Sequence, residues 1–390
     1  MNSATASQQE AHLNEVYPTL PFKPISGRGL YLETAEGRRI LDLYAGHAVA
    51  TLGYGHPNLS SAISRQAEKL FFQSNAVRLD LRDEAANALA AFAPEPLSRV
   101  FFVNSGAEAN ENALRIALKS TGRKKIIAIE HGFHGRTAGA AAVTWGAKQS
   151  WYGFPQEPFE VAFVPRNDIK ALSAQVDQNA AALIMEPVQG IGGAFDFEPE
   201  FIDAARVACD RVGALLILDE VQTGVGRLGT SFGADLYGVR ADLLTTAKAL
   251  GGGFPCGAVL MTDALARDLS PGDLGTTFGG GPLACAVIKT IIETILSENL
   301  LQNVQNISAQ IRKTCVRGPV TGIQGAGFLL GLRTTPKAAA VRDALLDRDI
   351  LAGTSADPYV LRLLPPLIME AEHVICLAEA LENMDHETFQ

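Results

Sequence analysis

The sequence predicts an α/β protein, with a mainly parallel seven-stranded sheet in a large domain and a smaller α+β domain beside it. Three observations carry that expectation. Between about residues 55 and 295 one grammar repeats: a short apolar run, a glycine- or proline-bearing turn, then a helical stretch. The apolar runs are nearly continuous rather than alternating, as strands covered on both faces require. From about residue 296 the grammar changes to a long helix, a glycine-rich strand and two further helices.

Taken in order, the candidate strands are Arg99–Val103, Lys125–Ile129, Val161–Val164, Ala181–Met185, Leu215–Leu218, Leu243–Thr246 and Gly257–Met261. After Ser105, the residues Ala109, Ala113, Leu114, Ile116 and Ala117 recur at helical spacing, and Phe201–Val212 reads as an amphipathic helix. Beyond residue 296 come a helix carrying Leu300, Val304 and Ile311, one strand over Ile323–Leu332, a helix near Ala338–Asp349 and a closing helix. Gly29–Leu32 and Arg38–Leu43 are strand candidates in a segment too short to form its own core. The expected division is therefore residues 1–52 packing with the small domain, 53–295 as the large domain and 296–390 as the small one. No repeat of 20–50 residues and no low-complexity tract interrupts it.

Length and composition agree with two or three domains, since the chain has 390 residues, 47 % of them hydrophobic and only 19 % charged. Its 33 Lys and Arg against 42 Asp and Glu give a net charge of −9, which argues against a nucleic-acid binder relying on phosphate neutralisation. The polar start lacks the apolar core of an export signal, and no apolar run approaches the roughly 18 residues of a membrane helix. The five cysteines are odd in number and form no CxxC pair, which suits reduced thiols and no zinc site. A soluble, cytoplasmic protein is expected.

Three stretches carry candidate chemistry. In Phe101–Asn110 (FFVNSGAEAN) a strand, a small-residue turn and a helix start follow one another, so backbone amides with the Ser105 hydroxyl would form a phosphate cradle. Alone, Ser105 followed by Glu108 is equally an ordinary capping box. In Leu216–Gly224 (LILDEVQTG) an apolar strand delivers Asp219 and Glu220 at its carboxyl end, where open α/β sheets bind ligands. Such an acid needs a cationic partner or it is neutralised; alone, structural capping serves as well. In Leu243–Gly253 (LLTTAKALGGG), Lys248 leaves an apolar strand before three glycines. Burial disfavours its charged form, and a free amine attacks carbonyls; a surface lysine is the bland alternative.

Together the three supply one site in chain order: cradle, acid, lysine. The arrangement resembles the class III (subgroup II) aminotransferases of the pyridoxal 5′-phosphate-dependent fold type I, nearest the acetylornithine aminotransferase branch. The resemblance rests on FVNSGAEANENALRIALK, HGFHGRT, MEPVQG, LILDEVQTGVGRLG, TTAKALGGGFPCGA, TTFGGGPLACA and VLRLLPPLI. It implies that Lys248 bonds covalently to the cofactor and then serves as general acid and base. It makes Asp219 the partner of the pyridine nitrogen, with Phe133 and Val221 on the two ring faces and Gln222 at the phenolic oxygen. Ser105, Gly106 and Ala107 match the phosphate loop, and Glu186 belongs to the cofactor-binding set. Thr277 matches a threonine reaching the cofactor phosphate of a neighbouring subunit, which implies a homodimer with shared active sites. Arg136 and Arg362 match the two carboxylate-binding arginines; Tyr17 and His47 are further substrate-facing candidates.

The implied reaction is ping-pong amino transfer between an amino acid and 2-oxoglutarate, with arginine biosynthesis as the implied setting. Two departures qualify the match. Ile191 stands where the branch usually has a glutamate that masks the second arginine, so the amino donor is open: ornithine, 4-aminobutyrate or another amino acid. Gly281 stands in place of an asparagine. An aminomutase, decarboxylase or phospho-lyase could share the cofactor site. A dinucleotide-binding oxidoreductase is disfavoured because neither Gly190–Gly193 nor Gly224–Gly226 completes GxGxxG; a cofactor-free scaffold is the non-enzymatic alternative.

Overall fold

A computed structural model describes residues 12–384. Seven strands form its main sheet: β1 (Leu97–Val103), β2 (Lys125–Ile129), β3 (Glu160–Val164), β4 (Ala180–Met185), β5 (Leu215–Asp219), β6 (Leu243–Thr246) and β7 (Gly257–Thr262). Their order across the sheet is β1-β7-β6-β5-β4-β2-β3. Only β7 runs antiparallel to its neighbours, and the pairs β2–β3, β2–β4, β4–β5 and β5–β6 are all parallel. Every residue of β2 and β4 is buried, the result expected of apolar runs without alternation. Helix Gly106–Thr121 covers one face with Ala109, Ala113, Leu114, Ile116 and Ala117, packed with Ile126, Ala128, Ile184 and Ile217. Helices Asp80–Phe92 and Pro282–Ser297 lie together on the other face.

Chain order reverses between β2 and β4, and the carboxyl ends of β2, β4, β5 and β6 open on one side of the sheet. That is where this topology leaves a crevice.

The second layer comes from both ends of the chain. Strand Arg39–Asp42 pairs in parallel with Ile350–Leu351, so the first described strands share a sheet with the C-terminal part. Another four-stranded sheet contains Val320–Ala326, Leu329–Thr334, Val360–Leu363 and Gly353–Thr354. Here the single strand expected over Ile323–Leu332 is instead a hairpin, turning at Gly327 with φ +51°. A Cβ at that position would overlap the backbone of Leu228, so glycine is required for the close approach. The expected helix near Ala338–Asp349 stops at Leu346, and Asp349 takes a left-handed φ of +58° before the next strand. Among the described residues no helix is long and apolar enough to cross a membrane.

Candidate active site

The strand ends converge on one cleft of about 430 Å³. It is lined by Ser105, Gly106 and Ala107 after β1, Phe133, His134 and Arg136 after β2, and Glu186 after β4. Asp219 closes β5 and is followed by Val221 and Gln222, while Lys248 comes from the turn after β6. The three stretches singled out in the sequence thus meet in one place.

Asp219 is held on every side. It is 3 % exposed. Its Oδ2 accepts from Asn110 Nδ2 at 2.7 Å and lies 2.7 Å from His134 Nδ1, and its Oδ1 accepts from the Val221 amide at 3.0 Å. Asn110 is itself fixed, donating to the His134 carbonyl at 2.7 Å and accepting from the Thr245 hydroxyl at 2.6 Å. Thr245 stands opposite Asp219 in the β5–β6 register, so the sheet fixes the spacing of the group. The neighbouring acid goes elsewhere: Glu220 is fully buried and accepts from Gly233 N at 2.6 Å, Ala234 N at 2.7 Å and Thr223 Oγ1 at 2.8 Å. Burial pushes its carboxyl up to about 7. Period-two alternation along the strand sends two adjacent acids to two different tasks.

Lys248 has a left-handed φ of +40°, unusual for a residue with a Cβ. Burial, with Arg362 and Arg227 nearby, pushes its amine down to about 8 against the opposing pull of Asp219 and Glu186. A sizeable fraction is therefore neutral and nucleophilic near neutral pH. Glu186 accepts from the Phe133 amide at 3.0 Å and the Gly190 amide at 3.1 Å, and burial raises its carboxyl above the usual range.

The cradle is a helix start. The first amides of helix Gly106–Thr121 have no intrahelical acceptor and open on the cleft, where the helix dipole favours an anion. A Cβ on Gly106 would come within 2.5 Å of the Val221 side chain, so only glycine lets the helix start and the β5 turn approach this closely. The cap reading also applies, in altered form: Ser105 Oγ accepts from Glu108 N at 3.1 Å, while the Glu108 carboxylate takes the Asn104 amide at 2.8 Å rather than that of Ser105. Gln222 donates to the His47 carbonyl at 3.3 Å.

Two guanidinium groups flank this centre in different states. Arg136 is exposed at the cleft wall, its Cζ 4.6 Å from the Trp151 ring centroid and 5.9 Å from that of Phe133. Arg362 is 5 % exposed and donates from Nε to the Thr354 carbonyl at 2.8 Å and from Nη2 to Tyr44 Oη at 2.6 Å. Its Nη1 is buried without a partner. Ile191 lines the cleft, and its carbonyl accepts from Ala356 N at 2.9 Å, which ties it to the segment carrying Thr354. His47 lies 2.9 Å from Tyr44 Oη through Nδ1; withdrawal of its ring from water, then the charges of Arg362 and Lys248, lower its pKa. Tyr17 is 73 % exposed and Thr277 is exposed, and neither lines the cleft of this chain.

Sequence reasoning missed Asn110, His134, Thr245 and Tyr44. One signal was available: Asn110 follows Ala109 on the apolar face of its helix, where a polar side chain must find a buried partner. Tyr44 and Arg362 are 318 residues apart, and no local pattern joins them.

Comparison with known proteins gives a consistent result. Residues 14–385 match the family model described as Aminotransferase class-III. An acetylornithine aminotransferase of Methanosarcina acetivorans is 36 % identical over 375 residues, covering 95 % of this chain and 94 % of the relative. An acetylornithine/succinyldiaminopimelate aminotransferase of Yersinia pestis is 39 % identical over 381 residues, covering 92 % and 91 %. The crystal structure of the ornithine aminotransferase from Toxoplasma gondii superposes with a TM-score of 0.88 at 28 % identity, covering 97 % of this chain and 92 % of that one. A second structure of that enzyme, crystallised in the presence of oxidized glutathione, reveals partial occupancy of PLP at its active site.

Proposed function

The chain belongs to the class-III aminotransferases, and from that premise we propose that it moves an amino group from an acetylornithine-type donor to 2-oxoglutarate in ping-pong order, with pyridoxal 5′-phosphate as cofactor. One observation carries this reading: a single cleft is lined at once by a lysine of depressed basicity, a locked buried carboxylate and a glycine-tightened helix start.

That donor set fits the cofactor's three chemical handles, an aldehyde, a ring nitrogen and a phosphate. When bound, pyridoxal 5′-phosphate supplies a carbonyl that carries the amino group and a ring that takes up the electron pair of the broken C–H bond. Lys248 anchors it; once displaced by the substrate amine, Lys248 Nζ accepts the proton from the amine-bearing carbon and redelivers it. Asp219 keeps the ring nitrogen cationic, and Asn110 and His134 hold the carboxylate for that task. Phe133, Val221, Gln222 and Glu186, which line the same cleft, would hold its ring. Ser105, Gly106 and Ala107 take the phosphate.

Arg136 receives a distal carboxylate and Arg362 the carboxylate adjacent to the reacting amine. Ile191 cannot mask Arg362, so the guanidinium stands open to the carboxylate beside the amine of glutamate. Tyr17 and His47 are assigned to the substrate side. Thr277, exposed on this chain beside Phe278, is assigned to a partner copy's phosphate, and the functional unit is a homodimer in the cytoplasm. Residues 53–295 are assigned as the cofactor-binding domain and 296–390 as the small domain, with 1–52 packing with the latter.

The test offers acetylornithine, ornithine, 4-aminobutyrate and alanine as donors against 2-oxoglutarate and pyruvate, and follows the amino acid formed. Glutamate should appear only when donor and 2-oxoglutarate are both present. Product formation without any oxo acid would make the protein a mutase or lyase and overturn the reading.

A further inference from the structure

Residues 45–48 form a left-handed turn. Ala45, Gly46, His47 and Ala48 have φ of +48°, +57°, +66° and +68°. Three of the four carry a Cβ, and each such residue costs about 1–2 kcal/mol in this conformation. Strain of this kind persists only where the surroundings enforce it, and it concentrates at functional positions. The surroundings here are built for it: buried Asp42 accepts from the amides of Tyr44 at 2.7 Å and Ala45 at 2.8 Å, and also from the Tyr54 hydroxyl. The segment is tied to the end of the Arg362 strand, because Leu364 N donates to the Leu43 carbonyl at 2.8 Å, and to strand Ile350–Leu351, because Leu43 N donates to the Leu351 carbonyl at 2.9 Å.

What the turn presents is Tyr44. A Cβ at Gly353 would overlap its ring, and Gly353 stands opposite Arg362 in the sheet register, so the ring is seated against the strand pair that carries the guanidinium. Tyr44 Oη accepts from Arg362 Nη2 and lies 2.9 Å from His47 Nδ1, which accepts the hydroxyl hydrogen when the neutral ring carries its own on Nε2. Both hydrogen-bond partners of Arg362, Tyr44 Oη and the Thr354 carbonyl, are neutral, so its orientation is fixed without a direct ion pair, and Glu186 acts on it only from a distance. The buried, unpartnered Nη1 is the donor left for a ligand.

We propose that Tyr44 is a specificity-determining residue: it clamps Arg362 in place without neutralising it, so that the guanidinium receives the carboxylate next to the reacting centre in the glutamate and 2-oxoglutarate half-reaction. The inference rests on the assignment of Arg362 to that carboxylate. His47 acts behind Tyr44 as a positioning residue, by accepting the hydroxyl proton.

The decisive variant is Tyr44→Phe, which removes the hydroxyl and keeps the ring. It should raise KM for glutamate and 2-oxoglutarate about tenfold with kcat within about threefold, the pattern of lost uniform binding. Turnover of 4-aminobutyrate, whose amine has no adjacent carboxylate, should stay within about twofold. Calorimetric binding of glutarate, an unreactive dicarboxylate, to the holoenzyme should weaken by a similar tenfold factor. Unchanged glutarate affinity and an unchanged glutamate to 4-aminobutyrate ratio would overturn the proposal. Should Tyr44→Phe fail to fold, His47→Ala is read by glutarate affinity alone, which should weaken about threefold. If the wild-type enzyme transfers amino groups and binds glutarate while the variants match it, this inference fails alone; if the wild type transfers none, the underlying reading fails.

Discussion

Asp219 and Arg362 are both buried charges at functional strands, and their surroundings differ in kind. Asp219, at the end of β5, has two side-chain partners and one backbone donor, and those partners are themselves fixed by the sheet. Arg362 has two neutral acceptors, an empty Nη1 and no carboxylate against it. A charge whose partner stays in place through every turnover is satisfied by the protein. A charge whose partner arrives and leaves with each substrate is oriented but left short of one. On the proposed assignments, the contrast separates the charge that faces the retained cofactor from the one that meets each substrate.

The largest effect should come from the satisfied side. Asp219→Asn keeps the shape and removes the charge, and turnover should fall about 10³-fold or more, as for loss of a preorganised electrostatic partner. Pre-steady-state kinetics should locate the loss in the proton-transfer step. A fall under tenfold would break the comparison by making Asp219 a structural cap.

Next comes the open side. Arg362→Gln should raise KM for glutamate about 100-fold, the worth of a charge-assisted carboxylate contact, with less effect on an amine lacking the adjacent carboxylate. Equal losses for both donor classes would mean that Arg362 supports the fold rather than the substrate.

A sharper version concerns Lys248, whose amine is pushed down to about 8. In the cofactor-free protein, capture of pyridoxal 5′-phosphate should speed up with rising pH, pass half its maximum near pH 8 and level off above that, because only the neutral amine attacks. Stability has the same sign. Between about pH 8 and the ordinary lysine range near 10.5 the unfolded chain binds the extra proton, so folding stability of that protein should rise with pH. Lys248→Met should flatten both profiles.

The smallest functional effect is expected at Glu220, adjacent to Asp219 but engaged in holding the Gly233–Ala234 helix start. Glu220→Gln should leave turnover within about twofold while costing about 1–3 kcal/mol of stability, since it strands amide donors. Its carboxyl is raised to about 7 from an ordinary 4.5, so the native state holds a proton that the unfolded state has lost in that window. Wild-type stability should fall as pH rises from 4.5 to 7, and the variant should lack that slope in thermal melts.

Much of this was legible in the chain itself, for physical reasons. Strands such as Lys125–Ile129 and Ala180–Met185 are announced by apolar runs without alternation. The hairpin around Gly327 was not, because Gly322, Gly325, Gly327 and Gly331 punctuate the whole stretch and no one of them marks the turn. Membership of the family was legible from the long strand-end segments. The partners of the charges were hidden: His134 meets Asp219 across 85 positions and Tyr44 meets Arg362 across 318, contacts that only the sheet topology creates. The left-handed turn at 45–48 was hidden as well, since alanine and histidine give no local sign of positive φ.

The central claim is that one amine, at Lys248, carries the cofactor and gives it up to the substrate. Borohydride reduction of the resting holoenzyme, followed by proteolysis and mass spectrometry, tests it directly. The account predicts a phosphopyridoxyl adduct on Lys248, lost when glutamate is added before reduction. An adduct on another lysine, or one that persists on Lys248 at saturating glutamate, would contradict it.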